Sequence, residues 1–339
     1  MTPTEAFEAQ AGYCEALGSP FMVRLMTLLA ERLTDETEVG RHLLSWPGDP
    51  DPRADALPLR FAGALHALKL DGVALADVYP PNEVRDADLW AGLVRAFEVF
   101  PERIIAALSS PPQTNEVRRS AAVLPALSTL AKLHTEPVAL YELGTSGGLN
   151  LRLDRFALTT PGGAIGDPES PVRHAPDWSG AMPPTDLPNV VRRGGVDRAP
   201  VDPTTETGRL RLLSFLWPDQ PERLERTEHA IALARSHPAE ILQADAGEGL
   251  ADLFADHPEG ARAVIFHTIA WQYFPAATQA HVQEVIAAAQ FPVSRIAMEG
   301  DGGQSARISV WPDARDKALT LGRCGFHGQW VHWEGWPDL

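Results

Sequence analysis

The first part of the chain alternates helix-length amphipathic segments with short breaker segments. Apolar residues recur at three- and four-residue spacing in residues 21–33, 57–70, 88–100 and 116–133, which is the spacing that lines one face of an α-helix. Proline-rich segments such as SWPGDPDP, VYPPN and SSPPQTN lie between them and interrupt helices. No segment here has the alternation typical of a strand. The sequence therefore predicts an all-helical N-terminal module over residues 1–135.

From residue 136 onward, short β-favouring runs alternate with amphipathic helices. The predicted strands are VALYEL, NVVRRGGVD, AEILQAD, AVIFHTI and VSRIAME, and LNLRLDRF is predicted to be the helix after the first of them. Alternating strands and helices are typical of a mostly parallel, three-layer sheet. At the end of the chain, ARISVWPD and ALTLGRCGFHGQWVHW indicate two longer strands that form an antiparallel hairpin. The sequence thus predicts an α/β domain over residues 136–339.

A proline- and glycine-rich segment at residues 157–188 fits neither periodicity. Because it is too long for an ordinary connection, we expect a functional loop or a small hairpin insertion. A second loop segment, WPDQPER, has Asp219 followed three residues later by Glu222. That spacing is typical of a helix start, with Asp219 as the cap.

Composition narrows the class of protein. The chain has 339 residues, 44% hydrophobic content and a net charge of −16, so it has enough apolar residues for a large core and an acidic surface that repels phosphate backbones. No apolar run is long enough to span a bilayer, and the N-terminus lacks the pattern of a signal peptide. Cys14 and Cys324 form neither a disulfide framework nor a metal motif. We therefore expect a cytoplasmic protein that binds a small molecule, not nucleic acid or a membrane. The oligomeric state stays open.

The segment VALYELGTSGGLNLRLDRF combines a predicted strand, a glycine-rich turn and a predicted helix. One interpretation is a serine hydrolase in which Ser146 of G-x-S-x-G is the nucleophile. The partners of that serine would be Asp245 or Asp301, followed along the chain by His327 or His332. Against this hypothesis, the preceding sequence is helical and contains no segment typical of an oxyanion hole. The hydrolase is therefore kept as an alternative.

The second interpretation is a cofactor site at the carboxyl ends of parallel strands. Glycines in the turn let a ligand approach the backbone, and the following helix start offers unpaired N–H groups. The next two predicted strands end at Asp197 and Asp245, and acids in these places suit ribose hydroxyls and a base. This hypothesis accounts for more of the residues than the hydrolase hypothesis does. The candidate cofactor-binding residues are Glu142, Gly144, Ser146, Gly148, Asn150, Asp197, Asp245 and Ala246.

The motif E-x-G-x-S-x-G at residues 142–148 resembles the first motif of class I S-adenosylmethionine-dependent methyltransferases, with Ser146 in place of the middle glycine. The predicted C-terminal hairpin is similar to the one that ends their sheet. Most of the chain also resembles the uncharacterised bacterial domain-of-unknown-function family 2332, through segments that include QTNEVRRSAAVLPAL, ELGTSGGLNLRLDRF, RGGVDRAPVD and VIFHTIAWQYF. The resemblance implies a Rossmann-like methyltransferase-type fold with S-adenosylmethionine as cofactor. In that arrangement Glu142 and the turn would hold the methionine end, Asp197 the ribose and Asp245 the adenine.

The acceptor side of such a site would follow the predicted strand AVIFHTI. His267 lies at the end of this strand and is the candidate general base, with Tyr273 as a second candidate catalytic residue and Trp271 as a substrate contact. The polar segment QTNEVRRS suits a lid, so Asn115 and Arg118 are further candidate substrate contacts. The histidines and tryptophans at the C-terminus are assigned to strand packing, and no metal site is expected. The sequence thus predicts methyl transfer to a small-molecule acceptor, and a non-catalytic binding protein with a degenerate fold is the other alternative.

Overall fold

The computed structural model describes residues 1–314 and 316–336. The helical prediction for the first part of the chain is confirmed, because every element up to residue 133 is a helix. A short 3₁₀ segment at Val117–Arg119 precedes the last of them. The helices are α1 Pro3–Ala16, α2 Pro20–Arg32, α3 Glu38–Leu44, α4 Leu57–Leu70, α5 Asp86–Val99, α6 Pro101–Leu108 and α7 Ser120–Leu133.

Strands and helices alternate in the rest of the chain, which confirms the mixed α/β class. The strands are β1 Val138–Leu143, β2 Ala157–Thr160, β3 Gly163–Gly166, β4 Arg173–His174, β5 Asp177–Gly180, β6 Val190–Asp197, β7 Glu240–Gln243, β8 Arg262–Thr268, β9 Val293–Gly300, β10 Ala306–Trp311, β11 Leu319–Cys324 and β12 Trp330–Trp333. The remaining helices are α8 Glu206–Ser214, α9 Pro221–Ser236, α10 Ala246–Ala255 and α11 Ala276–Ala288.

The large sheet has the strand order β5-β12-β11-β10-β9-β8-β1-β6-β7. The five strands β7, β6, β1, β8 and β9 are mutually parallel. From β9 to β12 each strand is antiparallel to its neighbour, and β5 adds to the edge in parallel with β12. Strands β1 and β8 are buried along their whole length, as expected for strands covered on both faces.

The C-terminal strands differ from the predicted hairpin. ALTLGRCGFHGQWVHW was predicted to be one long strand, but it forms β11 and β12 on either side of a turn at residues 325–329. Gly328 has a left-handed φ of 69° and donates its N–H to the Gly325 carbonyl at 2.8 Å. Because glycine adopts this conformation without steric cost, the chain reverses here and the sheet gains a strand.

The insertion at residues 157–188 contains four short strands. Strands β2 and β3 pair as an antiparallel hairpin, and β4 joins β2 in parallel to complete a separate three-stranded sheet. The last strand, β5, belongs to the large sheet instead. The segment is therefore an ordered addition to the α/β part of the chain.

The chain divides into two compact units, and the division differs from the predicted boundary at residue 135. The first unit combines Met1–Thr114 with Glu206–Glu225, and the second combines Asn115–Thr205 with the chain from Arg226 onward. Helix α7 belongs to the second unit because it packs against β9 and β10. The segment 206–225 belongs to the first unit, where Trp217 joins the helical core.

Candidate functional site

The parallel strands place the candidate site at a reversal of strand order. The chain runs outward from β1 to β6 and β7, then returns to β8 on the other side of β1. In sheets of this type, ligands bind outside the carboxyl ends of the strands at such a reversal. Glu142 lies near the end of β1, opposite Gly195 of β6 and Phe266 of β8. The predicted turn after β1 therefore lies at the reversal.

The turn after β1 is held by the neighbouring strand β6. Gly144, Ser146 and Gly148 have left-handed φ values of 72°, 53° and 67°, and Ser146 is the residue for which that conformation is costly. The Asp197 carboxylate compensates by accepting the Ser146 N–H at 2.7 Å. This hydrogen bond brings two predicted cofactor-binding residues together, and it gives Asp197 a structural role.

The two outer glycines of the turn have close neighbours within the protein. A Cβ atom on Gly144 would lie 2.7 Å from the Cβ of Ala270, and one on Gly148 would lie 2.7 Å from the Cδ1 of Ile241. Phe274 is the next neighbour of Gly144. The space beside Gly144, where a ligand was expected to approach, is thus occupied by the segment that follows β8.

Glu142 is buried behind the turn and is held largely protonated at neutral pH. Burial raises the pKa of its carboxyl to about 8, although the hydrogen bond from Thr145 and the charge of Arg152 oppose this shift. The Thr145 hydroxyl donates to Glu142 Oε2 at 2.6 Å. Around neutral pH Glu142 therefore acts mainly as a neutral hydrogen-bonding group.

Asp197 and Asp245 both bind protein groups and retain acceptor capacity. Asp197 Oδ1 accepts the Ala199 N–H at 2.9 Å. Asp245 caps α10 by accepting the Gly247 N–H at 3.1 Å, and it accepts the Thr278 hydroxyl at 2.6 Å. A carboxylate has about four lone-pair sites, so each acid could still accept a ligand hydroxyl. Ala246, the first residue of α10, is buried.

Two polar atoms near the turn are buried without a hydrogen-bond partner among the described residues. They are Ser146 Oγ and Asn150 Oδ1, on side chains that are 6% and 2% exposed. Buried polar atoms are nearly always paired with protein, water or ligand. These two atoms are therefore available for hydrogen bonds to a bound molecule.

Asn115 and Arg118 support the turn region and are not arranged as a lid. Asn115 is buried, and its Oδ1 accepts the Leu149 N–H at 3.0 Å. The Arg118 Nε donates to the His327 carbonyl at 3.0 Å.

The predicted helix after the turn is a short 3₁₀ segment, Leu149–Arg155, with a non-helical residue at Arg152. Asn115 therefore holds the start of this 3₁₀ segment.

His267 lies in a buried network that uses both of its ring nitrogens. Its Nδ1 is 2.7 Å from Glu299 Oε1, and its Nε2 is 2.8 Å from Arg295 Nη2. Since Arg295 has only donors, Nε2 accepts and Nδ1 carries the proton. Burial and Arg295 lower the pKa of His267. In this geometry His267 has no nitrogen left to accept a proton from a substrate, which argues against the predicted general-base role.

Trp271 completes the same network, and Tyr273 lies outside it. The Trp271 ring stacks on His267 at 5.2 Å between centroids, and the Arg295 guanidinium lies 4.0 Å from the centre of the Trp271 ring. Tyr273 is 73% exposed. Sequence reasoning missed Arg295 and Glu299. Their four-residue separation in VSRIAME places both on one face of a strand, and that signal was available.

The groups required for a serine hydrolase are not assembled around Ser146. Within the described residues, Ser146 Oγ has no hydrogen-bonding histidine. Asp301 binds Arg307 and Arg323, and His332 lies 3.0 Å from the hydroxyl of Ser179. Asp301 and His332 are thus engaged elsewhere.

Neither a metal centre nor a membrane span appears in residues 1–314 and 316–336. No group of three or more histidine, cysteine or acidic side chains is arranged to hold an ion. No helix in these ranges is long and apolar enough to cross a bilayer. Cys14 and Cys324 are both buried free thiols.

Comparison with known proteins places the chain in a family. No curated protein and no solved structure matches it. Residues 4–333 match a family described as an uncharacterized protein conserved in bacteria, DUF2332. This match covers nearly the whole chain and agrees with the resemblance seen in the sequence segments. The protein is a member of the DUF2332 family of bacterial proteins.

Proposed function

We propose that the protein is an S-adenosylmethionine-dependent methyltransferase with a small-molecule acceptor and a methyltransferase-type sheet. One observation carries the proposal. The five parallel strands have the order β7-β6-β1-β8-β9, and Glu142, Asp197 and Asp245 lie near the carboxyl ends of the three strands on one side of the reversal. This is the edge at which nucleotide-like ligands bind in open α/β sheets.

The polar groups at this edge fit the cofactor. Asp197 and Asp245 have acceptor sites left for ribose hydroxyls and an adenine amine. The unpaired Ser146 Oγ and Asn150 Oδ1 suit the carboxylate and ammonium of the methionine end. The space beside Gly144 does not contribute, because Ala270 occupies it. The donor and acceptor set supports the assignment, and the packing at Gly144 restricts where a ligand would lie.

The protein's own contribution would be alignment and exclusion of water. The bound cofactor supplies a sulfonium-activated methyl group, so a transferase needs chiefly to position the acceptor. Asp197 would orient the ribose while its bond to the Ser146 N–H keeps the turn in place. Because His267 has both nitrogens engaged, we assign it to positioning Trp271 and not to proton transfer.

The test is calorimetric titration of S-adenosylhomocysteine into the folded protein and three variants. Ser146→Ala deletes a hydroxyl that has no partner among the described residues, so folding should be unaffected. We expect wild-type binding to weaken at least about tenfold, or about 1.4 kcal/mol, in Ser146→Ala and Asp197→Asn. The exposed control Asp186→Asn should bind as wild type does. Absence of binding to folded wild-type protein would refute the assignment.

A non-catalytic binding protein is the second candidate. The observation in its favour is the occupied space beside Gly144, with Ala270 and Phe274 against the turn. The same titration separates the two, because this candidate predicts no affinity for S-adenosylhomocysteine. In the Ala270→Gly variant the obstruction is reduced. Binding that appears only in Ala270→Gly would indicate a site closed by its own chain.

A further inference from the structure

A cavity of about 370 Å³ lies beside the turn within the second unit. Its wall is formed by Gly147 of the turn, Arg152, the connection 200–204 after β6, the end of α9 and the start of β7. The segment after β1 is only a short 3₁₀ turn, so it does not extend as a long helix along this face of the sheet. The volume falls within the range of small-molecule sites.

The cavity contains a buried guanidinium that has no carboxylate partner. Arg152 is 3% exposed. Its Nε donates to the His237 carbonyl at 2.8 Å and its Nη1 to the Gly148 carbonyl at 2.6 Å. The two bonds fix the guanidinium plane, while Nη2 makes no hydrogen bond to a described residue. A buried charge paired only with carbonyl groups is unfavourable unless an anion compensates it.

The nearest acids do not neutralise Arg152. Glu142 is the largest charge influence on Arg152, but burial raises the pKa of Glu142 to about 8, so this carboxyl is mostly neutral at pH 7. Asp154 is bound by Arg193 at 2.5 Å. Burial lowers the pKa of Arg152 to about 10, which leaves it charged at neutral pH. A net positive charge therefore remains next to the cavity.

The rim of the cavity carries one further charge of each sign. Arg235, at the end of α9, is an exposed cation. Asp202 is an exposed acid whose Oδ1 accepts both the N–H and the hydroxyl of Thr204, at 2.9 and 2.6 Å. The charge deep in the cavity is that of Arg152.

We propose that this cavity binds a small molecule through a carboxylate or phosphate group held by Arg152. A planar guanidinium with a fixed orientation is well suited to either anion. Two protein carbonyls fix Arg152, so the binding geometry exists before the ligand arrives. The proposal does not depend on methyl transfer, because its evidence uses neither Asp197 nor Asp245 and requires no bound cofactor.

Ligand-observed NMR titrations at constant ionic strength test this site. The probes are glycerol 3-phosphate, succinate and uncharged glycerol. We expect saturable binding of at least one charged probe and none of glycerol, and the pattern between the two charged probes identifies the anion class. If neither charged probe binds to folded wild-type protein, the proposal is wrong.

Three variants locate the binding. Ala239→Phe adds bulk to the cavity wall and should weaken binding at least about tenfold. Arg152→Lys keeps the charge but loses the planar guanidinium, and we expect a comparable loss of affinity. The control is Arg155→Gln, an exposed arginine of the same 3₁₀ segment, which should bind as wild type does.

Thermal melting separates loss of binding from loss of folding. Arg152→Lys also loses hydrogen bonds to His237 and Gly148. If the lysine variant does not fold, Ala239→Phe alone tests whether the anion binds in this cavity. Binding that is equal in wild type and Ala239→Phe would place the anion outside this cavity and overturn the proposal. Anion binding without S-adenosylhomocysteine binding would leave this inference standing while the methyltransferase assignment fails.

Discussion

Glu142 illustrates how burial changes the chemistry of a single residue. Its sequence position suggests an ionised ligand-binding acid, yet burial raises its pKa from 4.5 to about 8. Between those two pH values the unfolded chain releases a proton that the folded protein retains. Folding stability from this group is therefore fully present below pH 4.5 and is lost as the pH rises towards 8.

Replacement of Glu142 by glutamine should remove that pH dependence. We expect the difference in free energy of unfolding, Glu142→Gln minus wild type, to increase from pH 5 to pH 8. The increase should be on the order of a few kcal/mol, at about 1.4 kcal/mol per unit of pKa difference. Urea denaturation at both pH values measures it, with the exposed Glu83→Gln as control. Parallel pH profiles for wild type and Glu142→Gln would contradict the assigned pKa.

Gly144 and Gly260 form a matched pair for a second prediction. Their φ values are 72° and 73°, but a Cβ on Gly260 would meet nothing within 4 Å. Gly260→Ala should therefore cost only the backbone strain, about 1 kcal/mol. Gly144→Ala adds the contact with Ala270 and should cost about 1–3 kcal/mol more. Chemical denaturation of both variants checks the difference.

A double variant gives the control for the glycine pair. Ala270→Gly in the Gly144→Ala background removes the Cβ that the new side chain meets at 2.7 Å. It should recover part of the lost stability. If the double variant is no more stable than Gly144→Ala, the packing explanation of this glycine is wrong.

At the scale of elements, one carboxylate joins β9 to the segment after β8. Glu299 Oε1 accepts from His267 Nδ1 at 2.7 Å and from the N–H groups of Ala270 and Trp271 at 3.0 and 3.1 Å. Burial of the carboxyl opposes ionisation, but these hydrogen bonds outweigh it and lower the pKa of Glu299. The same carboxylate thus holds Ala270 against the turn and His267 in its tautomer.

Replacing Glu299 by glutamine should loosen this connection. The variant keeps one acceptor oxygen but loses the charge, and we expect a loss of about 1–3 kcal/mol in the free energy of unfolding. The tryptophan fluorescence of the protein, to which Trp271 contributes, should also change, because that ring stacks on His267. The control Asp301→Asn removes an exposed acid that binds Arg307 and Arg323 and should have a much smaller effect. Equal losses in the two variants would contradict the structural role of Glu299.

At the scale of the whole molecule, the first unit is assembled from segments far apart in the chain. Asp219 accepts the Ser19 hydroxyl at 2.6 Å and the Phe21 N–H at 3.0 Å. Asp219 thus binds the start of α2, where Ser19 is the cap, whereas the sequence predicts that Asp219 caps the next helix. The segment 206–225 therefore completes the helical core of the N-terminal residues.

Asp219→Ala should destabilise the first unit by about 1–3 kcal/mol, since two donors lose a charged acceptor. Glu222→Ala is the matched control. If Asp219 and Glu222 acted together as the start of a helix, both variants would lose stability. The observed hydrogen bonds predict a loss of stability only in Asp219→Ala. Hydrogen exchange of α2 amides measures the local effect, and unchanged protection in Asp219→Ala would contradict it.

Local periodicity determined much of the secondary structure from sequence alone. Helices α2, α4, α5 and α7 and the strands β1, β6, β7, β8 and β9 follow from three- to four-residue or two-residue spacing, which depends only on neighbouring residues. The positions of Glu142, Asp197 and Asp245 near strand ends follow from the same pattern. Parallel pairing then brings those ends to one edge.

Tertiary structure decided how these residues are used. The pKa of Glu142, the engagement of His267 by Arg295, the filling of space beside Gly144 and the isolation of Arg152 all depend on groups that are distant in sequence. The return of residues 206–225 to the first unit has the same origin. Burial and long-range contacts set the charge and availability of a side chain, and spacing along the chain carries little information about either.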